Sequence, residues 1–346
     1  MYEKSANIFV IIPVYNCVTL LKEAVDSVLR QPYKQIKVII VDDGSTDGTE
    51  FLSDKLATQN ERVYVIHREN GGISAARNTA IEHVLTGEGK AGDYFAFLDA
   101  DDCWTLDFFT DDFVKQLTDA DVYRFQSVGC NYSLSRRMKT VALREGTFDG
   151  GAKAVRQFLQ PHVGAALYSL DFIKKEDIRF ILELKYSEDV LFIRTCMYRA
   201  KKIVAFNKLL YLYRNNPSSC VHTINKHGFD YYEPMFHAYL KYDFDGKDFV
   251  SWYLVDSMID HFGSGGTIAA AREWLCNNQT YVEIAKDMGG ARVNNMLSTF
   301  AKKPRMFALK YRIAGIAWNT ARKFVHTPPV SSLLEMVRYP IRGDKE

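Results

Sequence analysis

A short apolar run that ends in three carboxylates constrains this chain most strongly. The run is Phe95-Ala96-Phe97-Leu98, and the acids that follow it are Asp99, Asp101 and Asp102. Such a run is typical of a strand buried in a parallel sheet, and open α/β sheets bind ligands just beyond the carboxyl ends of their strands. Because alternate residues of an extended chain point the same way, Asp99 and Asp101 can converge on a Mg²⁺ or Mn²⁺ ion. A polar turn that caps the next helix is the alternative.

The residues before this run predict a β-α-β unit. Residues 8–13 form an apolar, β-rich run that ends at a proline, and apolar residues then recur at helical spacing over 20–29. A second apolar run follows at 36–41. The pattern predicts two parallel strands joined by a right-handed crossover helix.

Two further stretches carry candidate binding residues. Asp42 and Asp43 follow the second strand, where carboxylates can accept hydrogen bonds from a base or from ribose hydroxyls. After a third predicted strand at 63–66, Gly71-Gly72 opens a helix that carries Arg77, which favours a diphosphate site. The alternatives are a capped turn for the acidic pair and a structural ion pair for Arg77.

Composition and cysteine spacing limit the class of protein. The 346 residues are 47% hydrophobic and 25% charged with a net charge of +2, as in ordinary globular proteins. The six cysteines show no zinc or disulfide spacing, which favours a reduced compartment. There is no signal-peptide pattern and no apolar run of the ~20 residues that a membrane span needs. We therefore expect a cytoplasmic protein, and no nucleic-acid partner is indicated.

Four motifs in one order resemble the inverting family 2 glycosyltransferases of the GT-A fold. The resemblance covers roughly residues 5–220, and the motifs are Ile12-Pro13-Val14-Tyr15-Asn16, Val41-Asp42-Asp43-Gly44-Ser45-Thr46-Asp47, Gly71-Gly72-Ile73-Ser74-Ala75-Ala76-Arg77-Asn78 and Leu98-Asp99-Ala100-Asp101-Asp102. It implies an α/β fold with a Rossmann-like, mixed nucleotide-binding sheet flanked by helices. It also implies a nucleotide-sugar donor, usually uridine-linked, and Mn²⁺ or Mg²⁺ as cofactor.

The resemblance also implies roles for individual residues. It implies that Pro13 and Tyr15 line the base pocket, with Tyr15 stacking on uracil, and that Asp43, with Asp42 beside it, reads the base. It further implies that Arg77 and Asn78 lie near the ribose and the diphosphate. Asp99 would face the ribose or the metal. Asp99 and Asp101 are the family's DxD pair, with Asp101 on the metal, and Asp102 could share either role.

Two later segments resemble the acceptor side and the closing segment of the family. Residues 186–192 match its second acidic motif and make Asp189 the general base, although a carboxylate at a helix start can be a simple cap. In residues 211–222, Arg214 and Ser219 are candidates for diphosphate contacts and His222 for the metal. A surface histidine is the alternative for His222.

The last third of the chain predicts helices. We expect a catalytic domain over 1–224 and a helical extension over 225–346, whose basic amphipathic tail begins at about residue 301. From residue 301 onward there are ten Lys/Arg against three Asp/Glu, interleaved with apolar side chains. Such a segment is compatible with peripheral contact to an anionic membrane surface, with a solvated helix face, or with a partner subunit in a homo-oligomer.

Taken together, the motifs predict a metal-dependent transferase that moves a sugar from a UDP-sugar to a hydroxyl of a growing surface glycan. Capsule, exopolysaccharide, lipopolysaccharide and teichoic acid are compatible acceptors, either free or lipid-linked. The alternatives are a sugar nucleotidyltransferase and a non-catalytic nucleotide-sugar-binding component of a glycan assembly complex. The first would need a Gly-rich triphosphate loop after strand one, where this chain has Pro13-Val14-Tyr15-Asn16.

Overall fold

The computed structural model describes residues 6–138, 142–157, 162–184, 187–217, 229–241 and 248–323. Its contacts divide the chain into two units, Met1–Thr223 and Ile224–Glu346. The residues singled out above as candidate site residues all fall in the first unit. Ser219 and His222 lie outside the described residues.

The first unit is built on one mixed sheet. Its strands are β1 (Ile8–Val14), β2 (Ile36–Asp42), β3 (Val63–His67), β4 (Tyr94–Phe97), β5 (Cys103–Trp104), β6 (Val122–Cys130), β7 (Gly146–Phe148), β8 (Ala166–Ser169) and β9 (Ile203–Arg214). The strand order is β3-β2-β1-β4-β8-β6-β9-β5, and β7 pairs with β9. Strands β3, β2, β1 and β4 are mutually parallel, whereas β8 runs antiparallel to β4 and to β6.

Seven described helices belong to this unit. They are α1 (Leu21–Leu29), α2 (Thr49–Gln59), α3 (Ile73–Thr86), α4 (Asp111–Val114), α5 (Ala152–Gln157), α6 (Leu170–Glu176) and α7 (Glu188–Arg199). Helices α1, α2 and α3 connect the four parallel strands in turn, as the β-α-β pattern predicted. The fold class inferred from the motifs is therefore confirmed.

The core extends from the parallel strands, which are covered on both faces, into β6, β8 and β9. Every residue of β1 and of β4 is buried. In register, Val14 pairs with Asp42 and Ile11 pairs with Phe97, so β1, β2 and β4 end at the same edge of the sheet. Within residues 162–169, the strand is β8 at Ala166–Ser169.

The second unit is helical. Its described helices are α8 (Phe229–Lys241), α9 (Asp248–Gly263), α10 (Ile268–Asn277), α11 (Gln279–Lys302) and α12 (Pro304–Lys323). Phe262, Phe300 and Phe307 join α9, α11 and α12 through ring contacts of 5.4 to 5.7 Å between centroids. Within the described residues, no helix is long and apolar enough to cross a membrane.

Candidate active site

The acidic residues of the motifs gather at the carboxyl-end edge of the parallel strands. Asp42 ends β2, Asp43 follows it, and Asp99 lies two residues beyond the end of β4. Beside them, Tyr15 follows β1 and is 53% exposed, which leaves its ring open to stacking on a planar ligand. Pro13 is buried within β1, in register with Val41.

Asp43 organises the loop that leads into α3. Its carboxylate accepts hydrogen bonds from Arg68 Nη1 at 2.6 Å, from the Gly71 N–H at 3.1 Å and from the Gly72 N–H at 2.7 Å. Gly72 has φ = +85°, a left-handed conformation that favours glycine. Arg68 carried no sequence signal of its own, and it places a cation beside the acid that was predicted to read the base.

Asp42 is tied to the neighbouring elements. One of its oxygens accepts the Ser45 N–H at 3.1 Å, and the other lies 3.0 Å from His67 Nδ1. His67 Nε2 in turn lies 2.9 Å from Asp54 on α2. Both carboxylates raise the pKa of His67, with Asp54 the larger cause.

Arg77 links the donor-side and acceptor-side motifs. Its guanidinium is almost completely buried and donates to Asp99 and to Glu188, each at 2.9 Å. Burial alone would lower the pKa of Arg77, but Asp99 and Glu188 outweigh it and raise that pKa. The ion pair foreseen as the alternative for Arg77 is thus present, and one of its partners is the first acid of the DxD motif.

Asn78 fixes a backbone segment. Its side chain donates to the Phe180 carbonyl at 2.8 Å and accepts the Phe180 N–H at 2.9 Å. Both groups of the side-chain amide are used in this way. The expected contact of Asn78 with ribose or diphosphate stays a prediction.

The three acids of the DxD stretch occupy different environments. Asp99 is partly exposed and Asp101 accepts a hydrogen bond from Asn216 at 3.0 Å. Asp102 is buried, and its two oxygens accept bonds from the Tyr211 hydroxyl and from the Arg214 N–H, each at 2.7 Å. Asp102 therefore belongs to the hydrogen-bonded framework that it forms with Tyr211 and Arg214, which we call the frame. Asp99 and Asp101 are the acids left to bind a ligand.

Negative charge is crowded in this stretch. Burial raises the pKa of Asp101, and Asp99 raises it further. Burial also raises the pKa of Asp102 well above its usual range, with Asp99 and Asp101 adding to the effect. A cation at this edge would relieve the repulsion between the carboxylates.

Arg214 closes the frame from β9. Its Nε donates to the Asp101 carbonyl at 2.6 Å and its Nη2 to Glu23 at 2.6 Å, and it also bonds the Tyr132 carbonyl. The side chain is 3% exposed. Its predicted contact with a diphosphate stays a prediction, and its visible role is to hold the DxD loop in place.

The acceptor-side acids begin α7. Ser187 precedes the helix with φ = +59°, and Asp189 is partly exposed, with Oδ1 accepting the Val190 N–H at 2.7 Å. Glu188 is the buried member of the pair. Burial raises the pKa of Glu188 to about 7, Asp189 adds to that rise, and Arg77 opposes it.

The sequence placed His162 in a segment that resembles the family's acceptor-side strand and Tyr211 in the closing segment, but it gave neither residue an individual role. The Tyr211 hydroxyl accepts the Asp99 N–H at 3.2 Å and donates to Asp102, which fixes the turn between the two acids. The His162 ring packs on Tyr211 with 4.2 Å between ring centroids. These residues lie far from the DxD stretch along the chain, so no local pattern could reveal them.

No group of three or more His, Cys, Asp or Glu side chains suited to a metal ion occurs within the described ranges. Asp99 and Asp101 supply two carboxylates. The third predicted ligand, His222, lies outside those ranges.

Comparisons with known proteins show which proteins share this fold. Residues 9–172 match the family model described as glycosyl transferase family 2. The uncharacterised glycosyltransferase EpsJ of Bacillus subtilis is 27% identical over 286 residues, which cover 78% of this chain and 75% of EpsJ. TuaG of Bacillus subtilis, provisionally named as a teichuronic acid biosynthesis glycosyltransferase, is 41% identical over 99 residues, 28% of this chain and 37% of TuaG.

A solved structure has the same fold. TarS 1–349 of S. aureus in complex with UDP-GlcNAc superposes with a TM-score of 0.65 at 20% identity, over 89% of this chain and 90% of that one. At this identity the likeness concerns the fold. Residues 9–172 are similar to glycosyl transferase family 2, and the chain has the GT-A fold that its motifs predicted.

Proposed function

We propose that this protein transfers a sugar, with inversion, from a UDP-sugar to a hydroxyl of a growing surface glycan. The observation that carries the proposal is the Arg77 bridge between Asp99 and Glu188. Through this bridge, the DxD acids of the donor side and Asp189 of the acceptor side lie at one edge of the sheet. The UDP-GlcNAc bound to the TarS structure supports a uridine-linked donor.

In this mechanism Asp189 is the general base. It takes the proton of the acceptor hydroxyl as that oxygen attacks the anomeric carbon, and the bond to the diphosphate breaks on the opposite face. Arg77 holds Asp99 and Glu188 in fixed positions, so that the acids on both sides of the sugar keep their separation. Tyr15 is the exposed ring available to stack on the base.

A divalent cation, Mn²⁺ or Mg²⁺, fits the acids that remain unengaged by the frame. Asp101 uses one oxygen for Asn216, and Asp99 uses one for Arg77. Each keeps an oxygen for a hard cation, and burial together with the Asp99 charge raises the pKa of Asp101. When bound, the cation would neutralise charge on the departing diphosphate.

The test is the release of UDP from a panel of UDP-sugars, with Mn²⁺ and with a chelator. We expect slow, metal-dependent hydrolysis of one donor and its loss in Asp101→Ala. Asp189→Asn should bind this donor as the wild type does, while acceptor transfer falls by about 10²- to 10⁴-fold. The matched control is Asp171→Asn, an exposed acid in the first turn of α6 that accepts the Gly92 N–H.

The alternatives predict different results. A sugar nucleotidyltransferase would consume a nucleoside triphosphate and release pyrophosphate, and a non-catalytic component would bind a UDP-sugar without turnover. Substantial transfer by Asp189→Asn would refute the assignment of the base. Binding of GDP in preference to UDP would refute the uridine-linked donor.

The proposal includes peripheral contact with the cytoplasmic face of the membrane through α12. Among the α12 side chains that the structure describes, up to residue 313, the exposed apolar ones are Met306, Leu309 and Ile313, exposed by 62%, 57% and 58%. Around them the exposed bases are Lys302, Lys303, Arg305, Lys310 and Arg312. No Asp or Glu occurs in the sequence between residues 301 and 334. Exposed apolar side chains with cations around them match an anionic lipid surface, where lipid-linked acceptors reside.

Vesicle sedimentation tests this contact. We expect the protein to sediment with vesicles that contain phosphatidylglycerol and not with phosphatidylcholine alone. The triple change Met306→Ser, Leu309→Ser and Ile313→Ser should abolish sedimentation, whereas Phe51→Ser, at a 72% exposed aromatic of α2, should not. Unchanged sedimentation of the triple variant, or its conversion from a dimer to a monomer, would contradict membrane contact.

A further inference from the structure

His162 lies beside the DxD turn with a defined tautomer. The Gly164 N–H donates to His162 Nδ1 at 3.2 Å, so Nδ1 carries a lone pair and the proton is on Nε2. Gly164 packs so closely on Tyr211 that a Cβ there would lie 2.2 Å from the Tyr211 ring, which excludes a side chain at this position. Burial lowers the pKa of His162, which keeps the imidazole neutral although Asp99 and Asp189 oppose this effect.

The Nε2–H of His162 is an available donor in the site. Within the described residues, Nε2 makes no hydrogen bond, and it is not one of the buried side-chain atoms that lack a partner. The ring itself is held by packing on Tyr211 and by the bond from Arg124 Nη1 to the His162 carbonyl at 2.9 Å. The His162 side chain is thus held in place, and the residue is partly exposed, so that its N–H is available to a ligand.

Its electrostatic surroundings select the kind of ligand. The Asp99 and Asp189 carboxylates act on His162 more strongly than the Arg124 and Arg77 guanidinium groups, which act in the opposite sense. A neutral N–H in such a place attracts a phosphate poorly. A sugar hydroxyl suits it, because the hydroxyl oxygen can accept from Nε2–H while its proton is donated to a carboxylate.

We propose that His162 Nε2–H donates a hydrogen bond to a hydroxyl of the sugar ring of the bound UDP-sugar. The donor sugar is favoured over the acceptor because His162 packs on Tyr211, whose hydroxyl accepts the N–H of Asp99. The inference rests on the proposed function. It makes His162 a residue that reads the sugar and not the nucleotide.

The experiment compares two variants that distinguish the contribution of the Nε2–H donor from that of the aromatic ring. His162→Gln keeps an N–H donor near the position of Nε2, and His162→Phe keeps a ring on Tyr211 without a donor. Calorimetry in Mn²⁺ gives the Kd of UDP and of UDP-GlcNAc, or of the UDP-sugar that the hydrolysis panel selects. We expect His162→Phe to weaken UDP-sugar binding by about 3- to 10-fold and to leave UDP binding unchanged, with His162→Gln close to the wild type.

Other results would overturn the inference. Equal loss for UDP and UDP-sugar, with a lowered Tm, would make His162 a structural support of Tyr211. Unchanged donor binding in both variants would exclude contact with the donor sugar, and a raised KM for the acceptor alone would move the contact to the acceptor. If the wild type binds no UDP-sugar, the proposed function itself fails, which is distinct from every outcome above.

Discussion

Arg77 shows how a single buried residue can serve both stability and catalysis. Its guanidinium is 2% exposed and has two carboxylate partners, one on each side of the proposed sugar site. Removal of one member of a buried ion pair leaves an uncompensated charge, which costs more than the pair contributes. The same residue therefore governs the folding free energy and the geometry of the acids.

We expect Arg77→Met to lower the free energy of unfolding by about 3–5 kcal/mol, because Asp99 and Glu188 are left facing each other. Adding Glu188→Gln should recover part of this loss, since one of the two charges disappears. Urea denaturation of the wild type, both single variants and the double variant gives the coupling energy. Additive effects in this cycle would contradict the bridge.

Replacing Asp101 or Asp102 with asparagine should change the free energy of unfolding differently. Asp102→Asn should lower the free energy of unfolding by about 1–3 kcal/mol, because the amide cannot accept from both the Tyr211 hydroxyl and the Arg214 N–H, and this loss outweighs the relief of removing a buried charge. Asp101→Asn should leave stability unchanged or raise it, since the pKa of Asp101 is raised in the folded state. It should abolish the response to Mn²⁺. Thermal melts with and without Mn²⁺ distinguish the two variants.

At the scale of elements, side chains at strand ends connect the loops of the site to the sheet. Asp43 shapes the entry to α3, Asp102 joins the DxD turn to β9, and His67 at the end of β3 joins β2 to α2. Loops placed by such contacts hold binding residues on a rigid scaffold. A change at one of these contacts should alter an element without touching the substrate.

His67 makes the stability of this scaffold depend on pH. Its pKa is raised in the folded state above the ordinary value of 6.5 by Asp54 and Asp42. Its contribution to stability is therefore complete below about pH 6.5 and is lost as the pH rises through the folded-state pKa. We expect the Tm difference between the wild type and His67→Gln to be larger at pH 6 than at pH 9. A pH-independent difference would show that His67 stays neutral.

At the scale of the whole molecule, we expect a bound ligand to stabilise the fold of the first unit. That unit holds Asp99, Asp101, Arg77 and the described part of the closing segment, and it has its own buried core. A ligand that binds only the folded state stabilises it by mass action. The second unit has a separate aromatic cluster around Phe262, Phe300 and Phe307.

We expect UDP with Mn²⁺ at about 100 times its Kd to stabilise the fold by about 2.7 kcal/mol, seen as a higher Tm in calorimetry. A chelator should remove most of this shift, and Asp101→Asn should show none of the metal-dependent part. An equal shift from UDP with the chelator would contradict a metal held by Asp101.

The sequence by itself determined the four parallel strands, the crossover helices, the four motifs and the acids at the sheet edge. These features are local: an apolar run buried on both faces, a stop at Pro or Gly, and carboxylates directly after a strand need only a few consecutive residues. Only the tertiary structure decided which acid is free and which belongs to the frame. Asp102 meets Tyr211 across 109 positions and Arg77 meets Glu188 across 111, and no local pattern encodes partners at such separations. The tautomer of His162 and the closure of the DxD turn were decided in the same way, because β8 and β9 join the sheet next to strands far from them in the chain.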